Sequence, residues 1–374
     1  MVTLQQVLPE SFPPQDNLFQ TAFWGMFKYS CGQRPLFFSA AYSDDTLSLV
    51  FPFMVLIRNQ NNSCYAYAPK APSVHIPPEK RGTLLEELSL ALQQYLPSQC
   101  ICIRYDLAWR SLYGRNETVR TESAQLAMNW GTKTHNLRKA PLNYMCPDTS
   151  IINISLTPEQ ILSRMRTTTR NCIRRSYRNT INFAVSGKDS LPAWYTIYRQ
   201  TALRKNFFHE NAGYFDRLFS HEHIQENAVH EPPPEREKNY HVKKETVIPM
   251  DAPAPLPQFY IMTAEKEGTL LSGIIIALCG HNAYHMYAGS SLEQRELMPN
   301  YGLQWEAIRF ARSKGCTNYD LMGIPPNNDA AHPMSGLYIF KTGFGGETVR
   351  FAGTWDFPYD TESYTYFTLE EQIK

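Results

Sequence analysis

The sequence predicts an α/β (α+β) protein of two domains, each a mixed, mostly antiparallel sheet flanked by helices. The chain has 374 residues, which exceeds the size of one usual hydrophobic core. Short segments rich in aromatic and β-branched residues alternate with helical patterns, and this arrangement begins again near Ile151. We therefore expect a first domain over residues 1–148 and a second over 149–351, with a C-terminal segment, 352–374, that packs back on the first.

Composition limits the partners and the compartment. The net charge is only +1, so a polyanion would have to bind a local basic patch. The eight cysteines lack metal-ligand spacing and the ten histidines are dispersed, so we expect no metal site and a reducing compartment. The longest apolar run, Leu270–Leu278, is too short to span a bilayer, and no secretory signal is recognisable. These features predict a soluble, cytoplasmic protein.

The first half of the chain predicts a meander of strands with two helices. Residues 1–18 are polar and proline-bearing, and we expect them to be loosely held. We predict strands at Leu36–Ala41, Leu47–Leu56, Cys64–Ala68 and Cys100–Tyr105, and helices at Phe19–Phe27 and Pro78–Tyr95. The last strand would end at Arg104 and Asp106. There Asp106 can cap the next helical turn, pair with Arg104 or line a cleft at the strand end.

A basic helix is predicted near the start of the second half. Thr157 is a helix N-cap and Pro158 stands in the first helical position. Four arginines follow at intervals of four residues: Arg166, Arg170, Arg174 and Arg178. No acidic residue occurs from Gln160 to Lys188, so these arginines form one basic stripe without local partners. Most charged runs are solvated helix faces, but they usually mix both signs, and this one favours a polyanionic ligand.

The second half continues with a helix at Leu191–Lys205, a hairpin and a further strand. The hairpin joins Phe259–Ala264 to Leu270–Leu278, and strand alternation in Asn282–Gly289 would place His285 and Tyr287 on one face. Between the helix and the hairpin, residues 231–257 are proline-rich and aperiodic, which predicts a disordered insertion.

The stretch Met298–Gly346 predicts a helix, a short buried strand at Tyr319–Ile324, a polar loop and a glycine-rich turn. Lys341 follows Phe340 directly and precedes the glycines of Gly343–Gly346. A lysine in this position can meet a phosphate or an anionic reaction intermediate.

The motifs YGLQWEAIRFARSKGCTNYDLMGI and GLYIFKTGFGGE closely resemble those of the FemABX family, aminoacyl-tRNA-dependent transferases that build peptide branches on peptidoglycan precursors. The resemblance runs from about Phe19 to Phe351. It implies two acyltransferase domains of the GNAT kind and transfer of an amino acid to the side-chain amine of the stem peptide's diamino acid. It also implies aminoacyl-tRNA as co-substrate without another cofactor, and UDP-MurNAc-pentapeptide or lipid II as acceptor. We further expect a monomer that contacts the inner membrane surface peripherally.

The resemblance also assigns site residues. Phe340 and Lys341 match the pair at the tRNA acceptor end, and Asp106 matches an aspartate of the substrate cleft for which a general-base role has been proposed. The arginine stripe would bind tRNA phosphates or a nucleotide-sugar diphosphate. The expected substrate-binding residues, several of which could equally be core or helix-end residues, are Trp24, Lys28, Arg104, Tyr214, His285, Tyr287 and Tyr301. Glu210 stands where the family has a phosphate-binding arginine, which is a departure from the pattern.

Two alternatives remain at this stage. An acyl-CoA-dependent N-acyltransferase of the same fold would need a glycine-rich pyrophosphate loop, and Arg295–Trp305 contains only Gly302. A catalytically silent RNA-binding module would use the arginine stripe alone and would have no acceptor site.

Overall fold

The computed structural model describes residues 1–60, 63–114, 117, 120–220, 256–327 and 329–373. The disordered insertion predicted at 231–257 lies outside the described residues except for its last two positions. Within these ranges one continuous sheet is flanked by helices, which confirms the predicted mixed α/β class.

The described residues contribute thirteen strands to the sheet. In chain order they are β1 Val2–Val7, β2 Arg34–Ser43, β3 Ser48–Gln60, β4 Ser63–Ala68, β5 Cys100–Arg110, β6 Arg138–Lys139, β7 Asp148–Asn153, β8 Asn182–Ser186, β9 Gln258–Lys266, β10 Thr269–Cys279, β11 Asn282–Ser290, β12 Asn318–Gly323 and β13 Glu347–Pro358. Their spatial order is β1-β2-β3-β4-β5-β13-β7-β12-β11-β10-β9-β8, and β6 pairs with β13 beside this path.

Each half of the sheet contains one parallel pair among antiparallel neighbours. The parallel pairs are β4 with β5 and β11 with β12. Strand β13 joins the halves, because its residues Glu347–Arg350 pair with β7 while Phe351 and its successors pair with β5. A ligand bound where the halves meet would therefore contact residues from both.

The α-helices of the described chain are α1 Ala22–Ser30, α2 Arg81–Leu92, α3 Thr121–Met128, α4 Pro158–Arg164, α5 Thr167–Arg178, α6 Leu191–Lys205, α7 Ala212–Ser220, α8 Pro299–Ser313, α9 Ser335–Gly343 and α10 Thr361–Ile373. None of these helices has the length and apolar character needed to cross a bilayer. The predicted helix at 191–205 has these bounds, and Thr157 forms the expected N-cap as part of a full capping box with Gln160.

Three apolar clusters occupy the described core. One lies in the first half around α2, and one lies in the second half around α5 and α8. The third spans both halves and combines aromatic residues of α1, α6, α7 and α10 with the neighbouring face of the sheet. Helix α6 approaches the sheet closely, because a Cβ on Gly289 would lie 2.5 Å from the backbone nitrogen of Tyr198.

Four local predictions are wrong. Residues Val2–Val7 are not loosely held, since they pair with β2 along the whole segment and bury Val2. Strand β5 continues to Arg110, so Arg104 and Asp106 lie in mid-strand. The glycine-rich turn after Pro333 is the helix α9. The arginine stripe starts in a loop, because α4 ends at Arg164 and the Arg166 amide donates to the Gly343 carbonyl at 2.9 Å.

Candidate active site

An open cleft of about 1100 Å³ lies where the two half-sheets meet. Strands β11 and β12 pair only through Asn282–Tyr284 and Asn318–Asp320. Open α/β sheets place ligands at such strand ends. The residues that line the cleft include Lys70, Trp109, Thr149, Arg164, Asp320 and Gly323.

Asp320 is one of the carboxylates that line the cleft. Its Oδ1 accepts hydrogen bonds from the Thr149 hydroxyl and from the Met322 amide, the latter at 2.7 Å. Met322 has a left-handed φ of +59°, which turns the chain back over the carboxylate. Burial raises the pKa of Asp320, although these hydrogen bonds and the cations Lys70 and Lys341 oppose the shift. A carboxylate with a raised pKa is a stronger base than an ordinary aspartate.

Lys341 of α9 lies beside Asp320 and is 7% exposed. Its Nζ donates to the Gly323 carbonyl at 3.0 Å. Burial lowers the pKa of the Lys341 ammonium to about 8, while the charges of Asp320 and Cys146 oppose this shift. An ammonium has three donors, so two remain after the bond to Gly323.

Phe340 is half-buried and belongs to an aromatic cluster with Tyr301 and Phe344. Its ring centroid lies 4.9 Å from that of Tyr301 and 5.2 Å from that of Phe344. Tyr301 is expected to bind substrate, and in the structure its ring packs against that of Phe340. The partly exposed Phe340 ring keeps a surface on which a base can stack.

Lys70 is a cleft residue that sequence reasoning missed. It follows β4 by two residues, and its Nζ lies 3.8 Å from the centroid of the Phe351 ring. Burial lowers its pKa, and the nearby carboxylates of Asp320 and Asp106 oppose this shift. The signal in the sequence is a lysine just after the carboxyl end of a strand, where open sheets bind ligands.

Arg104 does not line the cleft, which corrects its assignment as a substrate-binding residue. It is fully buried, and its guanidinium forms paired hydrogen bonds with Asp356 at 2.8 and 2.7 Å. Its Nη1 and Nη2 also donate to Glu371 of α10, at 2.6 and 2.9 Å. Four of the five N–H donors of the guanidinium are engaged by these two carboxylates. Arg104 is a structural residue that fastens α10 to β5.

Asp106 also lies behind the cleft wall, with 2% exposure. It neither caps a helix nor pairs with Arg104. Its carboxylate accepts hydrogen bonds from the hydroxyls of Tyr67 and Thr354. These contacts place it too deep to touch a substrate in this structure, and its charge instead favours the protonated form of Lys70.

Four of the expected substrate-binding residues meet at the contact between α1, α7 and β11. The Lys28 Nζ donates to the Tyr214 hydroxyl at 2.9 Å, and Tyr214 shares a 2.9 Å hydrogen bond with Tyr287. Trp24 lies beneath the same ammonium, 4.9 Å from Nζ to ring centroid. Burial lowers the pKa of Lys28 to about 8, and the charge of Glu210 opposes this shift. The cluster links the two halves but is closed, since Lys28 is 8% exposed.

His285 and Tyr287 lie on opposite faces of β11, contrary to the alternation predicted for them. Ile275 pairs with Tyr287 while Ile276 pairs with His285, so Met286 is the extra residue of a β-bulge. Tyr287 therefore packs in the shared aromatic cluster, whereas His285 points toward Lys341. Burial lowers the pKa of His285 to about 3, with the Lys341 charge acting in the same direction and Gln304 opposing it. A pKa this low makes His285 a weak base, so we do not assign it the proton transfer.

The arginine stripe lies on the surface, as predicted. Its side chains bond to neutral groups: Arg166 to the Thr342 hydroxyl at 3.1 Å, Arg174 to the Asn171 side chain at 2.9 Å, and Arg170 to the Met165 carbonyl. Within the described residues none of Arg166, Arg170, Arg174 and Arg178 pairs with a carboxylate. Arg164, at the end of α4, lines the cleft itself. The basic surface thus leads into the cleft.

A metal centre is not evident in the described ranges, because they hold no group of three or more His, Cys, Asp or Glu residues arranged to bind an ion.

Comparison with solved structures gives the fold. FemX matches with a TM-score of 0.71 at 15% identity, over 98% of this chain and 99% of that chain. A tandem GNAT protein from the clavulanic acid biosynthesis pathway matches with a TM-score of 0.50 at 8% identity, over 96% and 98%. These likenesses confirm the expected GNAT-like architecture.

Comparison with curated proteins gives relatives. A lipid II:glycine glycyltransferase of Staphylococcus epidermidis is 32% identical over 111 residues, which is 30% of this chain and 26% of that protein. The protein of the same name from Staphylococcus haemolyticus is 24% identical over 259 residues, 60% of this chain and 61% of that protein. The matched region thus spans from about a quarter to three-fifths of these relatives' length.

The sequence pattern of the FemAB family matches residues 13–226 and 256–371, which is most of the chain. Together with the FemX-like fold, this match shows that the chain belongs to the FemAB family.

Proposed function

We propose that this protein is an aminoacyltransferase that moves an amino acid from aminoacyl-tRNA to the side-chain amine of the stem peptide in lipid II. The observation that carries the proposal is the cleft between the half-sheets, whose lining includes Lys70, Asp320 and Gly323, with Lys341 bonded to the Gly323 carbonyl and close enough to Asp320 to interact with its charge. Ionisable groups whose pKa values are shifted cluster at functional sites. Family membership and the names of the staphylococcal relatives support the acceptor class.

The reaction needs alignment, one proton transfer and stabilisation of an oxyanion. The acceptor amine attacks the ester carbonyl carbon, a C–N bond forms, and the C–O bond to the terminal ribose breaks. Asp320 takes the proton that leaves the amine and passes it to the ribose oxygen as that oxygen departs. Lys341 supplies positive charge to the carbonyl oxygen while negative charge develops there.

The donor would approach along the arginine stripe. Its phosphates would bind Arg166, Arg170, Arg174 and Arg178, and its 3′ end would enter the cleft past Arg164. The partly exposed ring of Phe340 would stack on the terminal adenine, which is worth roughly 1–3 kcal/mol per base in single-strand binders.

Neutralising the stripe should weaken donor binding. We expect the triple variant Arg170→Gln, Arg174→Gln, Arg178→Gln to bind aminoacyl-tRNA more weakly and with less dependence on salt. Each lost phosphate contact lowers the slope of log K against log salt by roughly 0.7–0.9. Filter binding between 50 and 200 mM salt, about the range over which such contacts weaken strongly, measures both quantities. Arg199→Gln, an exposed arginine of α6, is the control and should change neither; an unchanged slope in the triple variant would contradict the assignment.

The rate should fall on the alkaline side because Lys341 acts as a cation. Its pKa is lowered to about 8, so the ammonium is lost as the pH rises through that value. We expect the single-turnover rate constant, plotted against pH, to fall near pH 8. In Lys341→Arg that fall should change, because a guanidinium stays protonated throughout this range. A fall that is identical in both proteins would show that another group causes it.

The position of Gly302 in helix α8 argues against the alternative of an acyl-CoA-dependent N-acyltransferase. A Cβ on this residue would lie 2.3 Å from the Phe183 ring and from the Ser176 hydroxyl, so its small size serves packing of α8 against α5 and β8. It is not part of a loop that cradles a pyrophosphate. A catalytically silent RNA-binding module would not explain why Lys70 and Lys341 lie near Asp320.

The proposal is tested by incubating the protein with lipid II, soluble UDP-MurNAc-pentapeptide and a mixture of charged tRNAs, followed by mass spectrometry. We expect lipid II to gain the mass of one amino-acid residue. An adduct only on the soluble precursor would contradict the lipid-linked acceptor. No adduct on either would overturn the proposed function.

A further inference from the structure

Lys70 lines the cleft on the side formed by the first half of the chain, and its backbone conformation is held by hydrogen bonds. Its φ is +48°, a left-handed value that lysine rarely adopts. Two hydrogen bonds hold its carbonyl there, from the Asn17 side chain at 2.7 Å and from the Ser73 hydroxyl at 3.0 Å. The conformation is thus supported from outside the cleft, and it directs the side chain across the face of Phe351 into the space between the halves.

The ammonium of Lys70 has no hydrogen-bond acceptor or ion-pair partner within the described residues. Its contact with the Phe351 ring, at 3.8 Å, is a cation–π contact that leaves its N–H groups unengaged. Lys341 differs, because the Gly323 carbonyl already binds one of its hydrogens. The carboxylate of Asp320 lies close enough to both lysines for its charge to act on each.

This arrangement brings two cations, one from each half of the protein, within electrostatic reach of Asp320. Asp320 keeps Lys70 in place electrostatically but bonds through Oδ1 to Thr149 and Met322. An anionic oxygen that appears in the cleft during the reaction would satisfy the unengaged N–H groups of Lys70. Preorganised donors aimed at a developing oxyanion are the usual source of such catalysis.

We propose that Lys70 is a second catalytic cation that binds the oxyanion developing on the ester carbonyl, opposite Lys341. This inference rests on the proposed function. It predicts that catalysis needs both halves of the protein, because Lys70 comes from the first and Lys341 from the second.

The test compares Lys70→Met and Lys70→Arg with wild type. A transition-state contact of this kind is worth about 100-fold in kcat, so we expect Lys70→Met to lose about that factor while KM for the donor changes less than about threefold. Lys70→Arg keeps the charge and should recover part of the loss. The matched control is Lys314→Met, another lysine above an aromatic ring, 5.4 Å from the centroid of Phe310 but outside the cleft; its kcat should be unchanged.

Cys146 provides a readout that does not depend on turnover. Cys146 is an exposed residue of the same cleft lining, so bound donor should slow its alkylation by a maleimide, which peptide mass spectrometry measures. We expect aminoacyl-tRNA to protect Cys146 equally in wild type and in Lys70→Met. Protection lost in the variant, or a raised KM with unchanged kcat, would make Lys70 a ground-state binding residue and overturn the proposal. An unchanged kcat would also overturn it. If wild type shows neither protection nor transfer, the proposed function itself fails.

Discussion

Replacing Lys341 with methionine should lower kcat for aminoacyl transfer by about 100- to 1000-fold, the effect of removing one preorganised oxyanion donor. The Lys341 ammonium is buried, is held by the Gly323 carbonyl and lies beside Asp320. It therefore needs no reorganisation when charge develops on the substrate. Methionine fills nearly the same space, so the fold should survive and the measurement is a single-turnover rate with charged tRNA.

Two controls separate this result from a structural defect. Lys341→Arg should retain a measurable part of the rate, and Lys314→Met should retain all of it, since Lys314 lies at the end of α8 outside the cleft. A Lys341→Met protein that is folded and transfers at the wild-type rate would remove Lys341 from the chemistry.

Replacing Arg104 with methionine should lower the free energy of unfolding by about 3–5 kcal/mol, as is typical when one partner of a buried ion pair is removed. The change leaves the carboxylates of Asp356 and Glu371 buried without their common partner. The side chains of Arg104 and Asp356 are 0% exposed and that of Glu371 is 3% exposed, so water cannot replace the guanidinium. Urea unfolding followed by circular dichroism measures the loss.

The matched comparison is Arg110, which lies on the same strand and pairs with Glu347 at the surface, where the two side chains are 62% and 60% exposed. Exposed pairs contribute about 0–1 kcal/mol, so Arg110→Met should shift the urea midpoint little. Equal losses in the two variants would contradict a structural role specific to Arg104.

Much of the fold follows from local sequence patterns. Helix α6 has the predicted bounds because its apolar seam repeats at helical spacing, and α4 begins at Thr157 because the capping box is complete. The β9–β10 hairpin follows from the turn at Glu267 and Gly268, both of which adopt positive φ. These features depend on neighbours within a few residues of one another.

The errors arise where distant contacts decide the structure. The prediction that His285 and Tyr287 share a face is wrong because of the bulge at Met286. Pairing with β10 sets this bulge, and strict alternation of residues along one strand does not predict it. Arg104 was assigned to the substrate because its partners Asp356 and Glu371 lie more than 250 residues away. Helix α9 is not predicted because the glycines of Gly343–Gly346 indicate a turn, although Gly343 approaches Thr169 of α5 closely at the helix end.

The candidate site was only partly accessible from the sequence. Family motifs indicate Phe340 and Lys341, and in the structure Lys341 donates to the carbonyl of Gly323, a residue of the cleft lining. Lys70 and Asp320 are not predicted as site residues, because they line one cleft only where the two half-sheets come together. The two residues are about 250 positions apart in the chain. No spacing rule predicts that contact.

The most direct test of the account offers the purified protein lipid II and two donors in separate reactions, aminoacyl-tRNA and acyl-CoA, and follows the acceptor by mass spectrometry. We predict transfer of one amino-acid residue from the charged tRNA, loss of that transfer when the tRNA is first digested with ribonuclease, and no product with acyl-CoA. Acylation from acyl-CoA without any transfer from charged tRNA would contradict the account.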